Sequence, residues 1–362
     1  MRDKLKNNTG SFISIVVAVF NMQDTLDRCV QSLIKQTFKG IEIILVNDGS
    51  TDHTGSLCDD YAKKDDRIKV IHQKNMGLPL ARKAGLKEAK GQYISFVDAD
   101  DWCEEDMCER LYKKTAGKNV DIMFFSAFRH RNDGIVTICN LPIENGHYSV
   151  EEIHECYILP LYGDLKTDRL VTTGYVWCCL FRTEILRDIK FYKDICMHED
   201  EIIVLQALSR AKNICVTDDV LYHYNRMTPN SLSKRTVYWE NYWENIIDVY
   251  NAKKEFAVNF FTDETQYMGR LVTYLYLKMF RSIRNETHYS NPRGFWGGLL
   301  GAYRLKDTHI LFQNNGYLVK AELSPTERCL AKLVQFKLCF VVYIYYAIKC
   351  RRMRTYVEKT KN

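Results

Sequence analysis

The stretch Gly91-Gln92-Tyr93-Ile94-Ser95-Phe96-Val97 is made of strand-forming residues and runs straight into Asp98-Ala99-Asp100-Asp101-Trp102. Three carboxylates so crowded repel one another unless a cation lies among them, so the turn reads either as a cation site or as a plain solvated acidic turn. A second acidic group, Glu199-Asp200-Glu201, follows His198 and precedes the apolar Ile202, Ile203 and Val204. That order predicts a helix starting at the acids, where negative charge also complements the positive end of the helix macrodipole. Three further polar clusters punctuate apolar runs: Val19-Phe20-Asn21, Asn47-Asp48-Gly49-Ser50-Thr51-Asp52 and Asn75-Met76-Gly77.

From Ser11 onward, short β-rich apolar runs alternate with amphipathic stretches, the pattern of a mainly parallel sheet covered by helices on both faces. Strands are predicted over Phe12 to Phe20, Ile41 to Val46, Ile68 to Ile71, Tyr93 to Val97 and Val120 to Phe125. A helix capped by Asp24 carries Leu26, Val30, Leu33 and Ile34 on one side, and another covers Leu78 to Ala89. In such a sheet the polar clusters after the first four strands fall at one edge, where open α/β sheets bind ligands. Beyond about residue 130 the regularity fades, and Tyr157 to Trp177 reads as loop-rich. From about Val237 the pattern is helical and aromatic without catalytic spacing. The reading divides the chain into a catalytic part, 1–235, and a helical part, 236–362. Its final helix opens at Ser324-Pro325-Thr326-Glu327, a capping box with Pro at the first helical position, and is predicted to run through Leu330, Leu338 and Val342 into the basic tail.

The four clusters in this order resemble the family 2 glycosyltransferases, whose nucleotide-sugar-binding GT-A fold shows V-x-N, V-N/D-D-G-S-x-D, N-x-G and D-x-D at successive strand ends. The resemblance covers about residues 11 to 130 closely. It implies that Val19, Asn21 and Asp48 cradle the base of a nucleotide-sugar donor, with Asn75 and Asp98 also on the donor. Asp100 would ligate Mn²⁺ or Mg²⁺ between the phosphates, and Arg82 would approach them. For Asp48 the plain alternative is a turn or capping Asp, for Arg82 an exposed helix Arg, and for Asp101 a helix N-cap. Glycosyl transfer needs a base for the acceptor hydroxyl. The family's E-D motif implies Asp200 as that base and Glu199 as a contact to the acceptor sugar, with inversion at the anomeric carbon.

Tyr222-His223-Tyr224-Asn225-Arg226 with Ser231-Leu232-Ser233 resembles a Y-x-Y-R…S-I-S loop, which implies phosphate contacts from Arg226 and Ser231, although Asn225 stands where Arg is usual. Trp177-Cys178-Cys179-Leu180-Phe181 resembles W-x-K-L-Y/F with Cys179 in place of Lys. Trp177 and Trp102 are the acceptor-side candidates, with core packing as the alternative for Trp177. The Q-x-x-R-W motif and spanning helices of processive synthases are not found, so one sugar per acceptor is expected.

The 362 residues, 46% of them apolar and 12% aromatic, suit a folded protein of two parts. Six cations against Glu358 give the last 14 residues +5 of the chain's net +6. No general nucleic-acid surface is expected; an anionic membrane surface at the C-terminus is plausible, against the alternative of a helix packed on the protein's own core. Thirteen cysteines, an odd number without C-x-x-C spacing, indicate neither a disulfide framework nor a zinc site. With no export signal recognised, the expectation is a cytoplasmic enzyme, peripheral at the inner face of the membrane, using a saccharide or lipid-linked acceptor. Two rivals differ in class. A sugar nucleotidyltransferase should carry a Gly-rich phosphate loop where this chain has Phe20-Asn21-Met22-Gln23. A non-catalytic glycan-binding protein should have lost some of Asp48, Asp98, Asp100 and Asp200.

Overall fold

The computed structural model describes residues 12–163, 174–227, 238–305 and 309–360. These fall into two compact units, 1–161 with 168–231, and 162–167 with 232–362. The first unit runs β1 (Ile13–Val19), α1 (Leu26–Ile34), β2 (Ile41–Asp48), α2 (Thr54–Lys64), β3 (Ile68–Gln73), α3 (Leu78–Glu88), β4 (Tyr93–Asp98), β5 (Trp102–Cys103) and α4 (Met107–Thr115). It continues with β6 (Ile122–His130), β7 (Val136–Cys139), β8 (Gly146–Tyr148), α5 (Leu159–Leu161), β9 (Cys179–Arg182), α6 (Thr183–Leu186), α7 (Glu199–Leu208) and β10 (Ile214–Asn225).

One sheet organises this unit, in the order β3-β2-β1-β4-β9-β6-β10-β5, with β7 beside β6 and β8 beside β10. The first four strands are parallel, and β1, β2 and β4 are buried along nearly their whole length, as a sheet covered on both faces requires. Their ends are level: Val19 pairs with Asn47, Asp48 with Gln73 and Ala18 with Asp98. All four polar clusters therefore share one edge. Beyond β4 the sheet is mixed, because β9 runs antiparallel to both β4 and β6.

Local expectations in this unit are corrected. Asp24 does not cap α1; Thr25 holds the cap position without a side-chain bond, and the Met22 carbonyl accepts the N–H groups of Thr25 and Leu26 at 3.1 and 2.9 Å. The described part of Tyr157 to Trp177 is less irregular than predicted, with a π-helical turn over His154–Ile158 leading into α5 and a 3-10 turn over Val176–Cys178.

The second unit is helical: α8 (Tyr242–Ala257), α9 (Thr265–Glu286), α10 (Gly294–Arg304), α11 (His309–Gln313), α12 (Pro325–Gln335) and α13 (Cys339–Thr360). The capping box is present at α12, with Ser324 and Glu327 exchanging backbone bonds. The single final helix is instead two. Lys337 adopts a left-handed φ of 59°, and the N–H groups of Lys337 and Leu338 return to the carbonyls of Val334 and Leu333 at 2.8 Å each. That is a Schellman termination, satisfying carbonyls that an uninterrupted helix would have used. Among the described residues no helix is long and apolar enough to cross a membrane. All thirteen cysteines are free thiols.

Candidate active site

The centre of the site is Arg82, on α3. One turn along, Gly85 lets α3 press onto β1, since a Cβ there would lie 2.3 Å from Val16 Cγ1. The close approach seats Arg82 beneath the sheet edge at 2% exposure. Its Nη2 donates to Asp98 Oδ1 at 2.9 Å, and Nη1 donates to Glu199 Oε1 at 3.2 Å and Asp200 Oδ1 at 2.5 Å. One guanidinium thus gathers the acid that ends β4 and the two acids that open α7.

Burial alone would lower the Arg82 pKa, but the carboxylates of Asp200, Asp98 and Glu199 outweigh it and hold the guanidinium charged. The acids respond in the opposite sense. Burial, then the neighbouring Asp200, pushes Glu199 up to about 8 against the pull of Arg82. Asp200 is also raised, by burial first, with Arg82 opposing. Its Oδ2 accepts from the Val176 N–H at 3.4 Å. Two acids and one buried cation share the charge, so the pair titrates as a unit.

The turn after β4 is held from behind by β10. Tyr222 Oη accepts the Asp98 N–H at 3.0 Å and donates to Asp101 Oδ2 at 2.7 Å. Asn225 donates its N–H to Asp101 Oδ1 at 2.7 Å and its side-chain amide to the Asp100 carbonyl at 3.0 Å. Asp101 is therefore a buried anchor at 1% exposure rather than a helix cap. Burial raises its pKa, and Asp100 and Asp98 add to the shift.

At the other strand ends, Asp48 Oδ1 accepts from Gln73 Nε2 and the Met76 N–H at 2.7 and 2.9 Å, while Oδ2 accepts the Gly77 N–H at 2.8 Å. It clamps the Asn75-Met76-Gly77 loop. Gly49, at a φ of +73°, leaves room for that loop, because a Cβ there would lie 2.6 Å from the Asn75 N. Asn21, at a left-handed φ of 52°, ties the first turn to the second: its N–H donates to Ser50 Oγ at 3.0 Å and its Oδ1 accepts the Thr51 N–H at 2.8 Å.

The family 2 glycosyl transferase model matches residues 14–190. Glycosyltransferase GlyG of Streptococcus pneumoniae is 31% identical over 249 residues, which are 67% of this chain and 80% of that relative. The chain belongs to the family 2 glycosyltransferases. The uncharacterized glycosyltransferase EpsJ of Bacillus subtilis is 36% identical over 224 residues, covering 61% of this chain and 63% of EpsJ. S. aureus TarS 1-349, solved in complex with UDP-GlcNAc, superposes with a TM-score of 0.64 at 18% identity, over 94% of this chain and 91% of that one. The fold of this family 2 chain is accordingly GT-A.

In this family 2 chain two sets of the sequence-predicted residues come together, and the others stand apart. Asp98, Glu199, Asp200 and Arg82 meet directly. Val19, Asn21, Asp48 and Asn75 line up along the same edge, with Val19 buried and Asn21 and Asn75 exposed. Arg82 is not an exposed helix residue; it is buried, and its ion pairs are with the three carboxylates. Trp177 is 2% exposed, within a column that stacks it on Tyr222 at 4.9 Å and Tyr224 at 5.3 Å. The exposed residue of the column is Tyr175, at 39% exposure, 4.9 Å from Trp177 and one residue before the backbone N–H that Asp200 accepts. Tyr175 carried no spacing signal. Trp102 stacks on His223 at 4.8 Å, beneath the Arg28 guanidinium at 3.7 Å. Behind it His130 Nε2 and His223 Nδ1 lie 2.9 Å apart and Glu104 accepts at the far side of His223, while burial lowers both imidazole pKa values. The Arg226 N–H donates to the His130 carbonyl at 2.9 Å as β10 ends. Ser231 lies outside the described residues.

Among the described residues no three His, Cys, Asp or Glu side chains are grouped to hold a metal ion. Asp100 lies in the acidic turn, where its carbonyl accepts from Arg28 Nη2 at 3.1 Å and Asn225 Nδ2 at 3.0 Å.

The Tyr222 hydroxyl gives the first test of this construction. Tyr222→Phe removes the hydroxyl partner of the Asp98 N–H and of Asp101 Oδ2, leaving Asp101 only its bond from the Asn225 N–H among those described, at an expected cost of ~1–3 kcal/mol in urea unfolding. An unchanged unfolding midpoint would show that the hydroxyl does not hold the acidic turn.

Proposed function

We propose that this chain is a metal-dependent, inverting glycosyltransferase that moves a sugar from a UDP-sugar to a hydroxyl of a saccharide acceptor. The acceptor class we favour is a lipid-linked intermediate of surface-polysaccharide assembly at the cytoplasmic membrane face. The observation that carries the reading is the meeting of Asp98 with Glu199 and Asp200 around Arg82. It sets a donor-side acid and two acceptor-side acids in contact with one guanidinium.

In this reading Val19, Asn21 and Asp48 bind the base. The Asp48 carboxylate already accepts three bonds, which leaves one lone-pair site for a uracil N–H. Asn75 and Asp98 lie along the ribose and diphosphate, with Arg226 and Ser231 closing over the phosphates. Asp100 is the protein ligand to Mn²⁺ or Mg²⁺, which when bound offsets the charge on the departing nucleoside diphosphate. Asp200 takes the proton of the acceptor hydroxyl, whose oxygen forms the new bond to the anomeric carbon as the bond to the diphosphate breaks on the opposite face. Arg82 orients Asp200 and keeps part of the acid pair ionised. Glu199 contacts the acceptor, and Tyr175, the exposed residue of the aromatic column, packs on its pyranose. The UDP assignment draws on the TarS complex with UDP-GlcNAc. Residues 1–235 supply the donor site and the chemistry, and 236–362 the attachment to the membrane.

Calorimetric titration with UDP and GDP, each with and without Mn²⁺, tests the donor site. UDP is expected to bind only with the metal, and Asp100→Ala to weaken it by at least about tenfold, ~1.4 kcal/mol. Preference for GDP would replace the donor assignment. Binding of neither nucleotide would favour a non-catalytic glycan-binding role.

A further inference from the structure

In α10 the usual arrangement of an amphipathic helix is inverted. The small Gly298 and Ala302 are buried, and a Cβ on Gly298 would lie 2.4 Å from the Glu286 carbonyl oxygen and 3.0 Å from Tyr343 Oη. The large residues face outward: Trp296 is 77% exposed, and Phe295, Leu300 and Tyr303 are exposed with it. Helices of water-facing surfaces place their large apolar residues the other way round.

The neighbouring α13 shows the same inversion in part. Tyr343 on its inner side donates to the Phe295 carbonyl at 2.8 Å, and Cys339 and Val342 are buried with it. Its outer side exposes Phe340, Ile344 and Ile348 at successive four-residue steps, preceded by Phe336 at 75% exposure. Lys349 and Arg351 are exposed directly after this stripe, and the sequence continues with Arg352 and Arg354. Neither α10 nor α13 contains an acid before Glu358.

We propose that the outward faces of α10 and α13 form a docking surface for an anionic lipid bilayer, with Trp296 and Tyr303 seated at headgroup depth and Phe295, Phe340, Ile344 and Ile348 entering the acyl boundary. Charge decides the occupant. An apolar face that ends in cations and lacks acids complements anionic headgroups, whereas a second copy of the chain would offer its cations no partner. Aromatic rings with one polar end are the side chains that settle at the membrane–water interface. The inference names the surface behind the membrane attachment proposed above, but it does not depend on the transfer reaction.

The test is co-sedimentation of the full chain with phosphatidylcholine vesicles, with and without phosphatidylglycerol, in the absence of donor and acceptor. Wild type and the transfer-deficient Asp200→Asn are both expected to sediment with the anionic vesicles. The apolar variant Trp296→Ala/Ile344→Asp and the charge variant Lys349→Glu/Arg351→Glu should each bind at least about tenfold more weakly, since one signal alone anchors poorly. All four substituted residues are exposed, so thermal melting should move little. Vesicle binding that survives both variants overturns the proposal. So does a lack of vesicle binding together with a dimer in light scattering that Ile344→Asp dissociates, which would assign the face to a second copy. Failure here leaves the nucleotide calorimetry unaffected, and the two readings fail separately.

Discussion

Asp200→Asn is expected to lower kcat by about 10²- to 10⁴-fold, the usual weight of a positioned general base, while calorimetric affinity for the nucleotide stays close to wild type. The amide keeps the shape and the Val176 contact but accepts no proton. The pH profile supplies an independent readout. Burial raises Asp200 above the ordinary carboxylate range, and the base must be ionised to act, so wild-type activity should rise with pH along a limb displaced upward from that of a free carboxylate. The limb belongs to the coupled Glu199–Asp200 pair rather than to one residue. Glu199→Gln should raise the acceptor KM more than it lowers kcat. If Glu199→Gln abolishes turnover while Asp200→Asn stays active, the two roles are exchanged.

Arg82→Met is expected to be the most destabilising single change at the site. It removes the guanidinium that pairs with Asp98, Glu199 and Asp200, and breaking a buried pair in this way costs ~3–5 kcal/mol. The loss should depend on pH with a definite sign. Glu199 has a folded pKa of about 8, above its ordinary value, so the fold favours the protonated form. Its contribution to stability is complete below the unfolded pKa and is lost as pH rises through the folded one. Without the cation the acids hold their protons more tightly still, and the penalty at alkaline pH grows. Urea unfolding of wild type and variant at about pH 5 and about pH 8.5, spanning the window in which the pair exchanges its protons, should give a larger difference at the higher pH. Equal differences at both would mean that the three carboxylates are not held by Arg82.

These expectations depend on contacts of different legibility. The strands from β1 to β4 could be read because buried parallel strands are continuous apolar runs, and the polar clusters after them are interrupted by Gly and Asn at turns with left-handed backbone. Glu199 and Asp200 were readable as a helix start because acids precede an apolar run there. Arg82 was not, since a lone Arg in a helical stretch has the same sequence context whether it is solvated or buried. Its burial depends on Gly85 and Val16, which belong to different elements. Asp101 likewise looks like a cap in sequence; Tyr222 and Asn225, more than 120 residues later, make it an anchor.

By itself the sequence determined the alternating α/β order, the edge at which the polar clusters lie and the family to which the chain belongs, because periodicity and turn chemistry are local properties of consecutive residues. Only the tertiary structure decided that β9 enters the sheet antiparallel, that Trp177 is covered and Tyr175 exposed, that the last helix breaks at Lys337, and that one guanidinium holds three acids. Each of those depends on which surfaces distant segments bury against one another, and burial free energy is shared between partners that no single stretch of sequence contains.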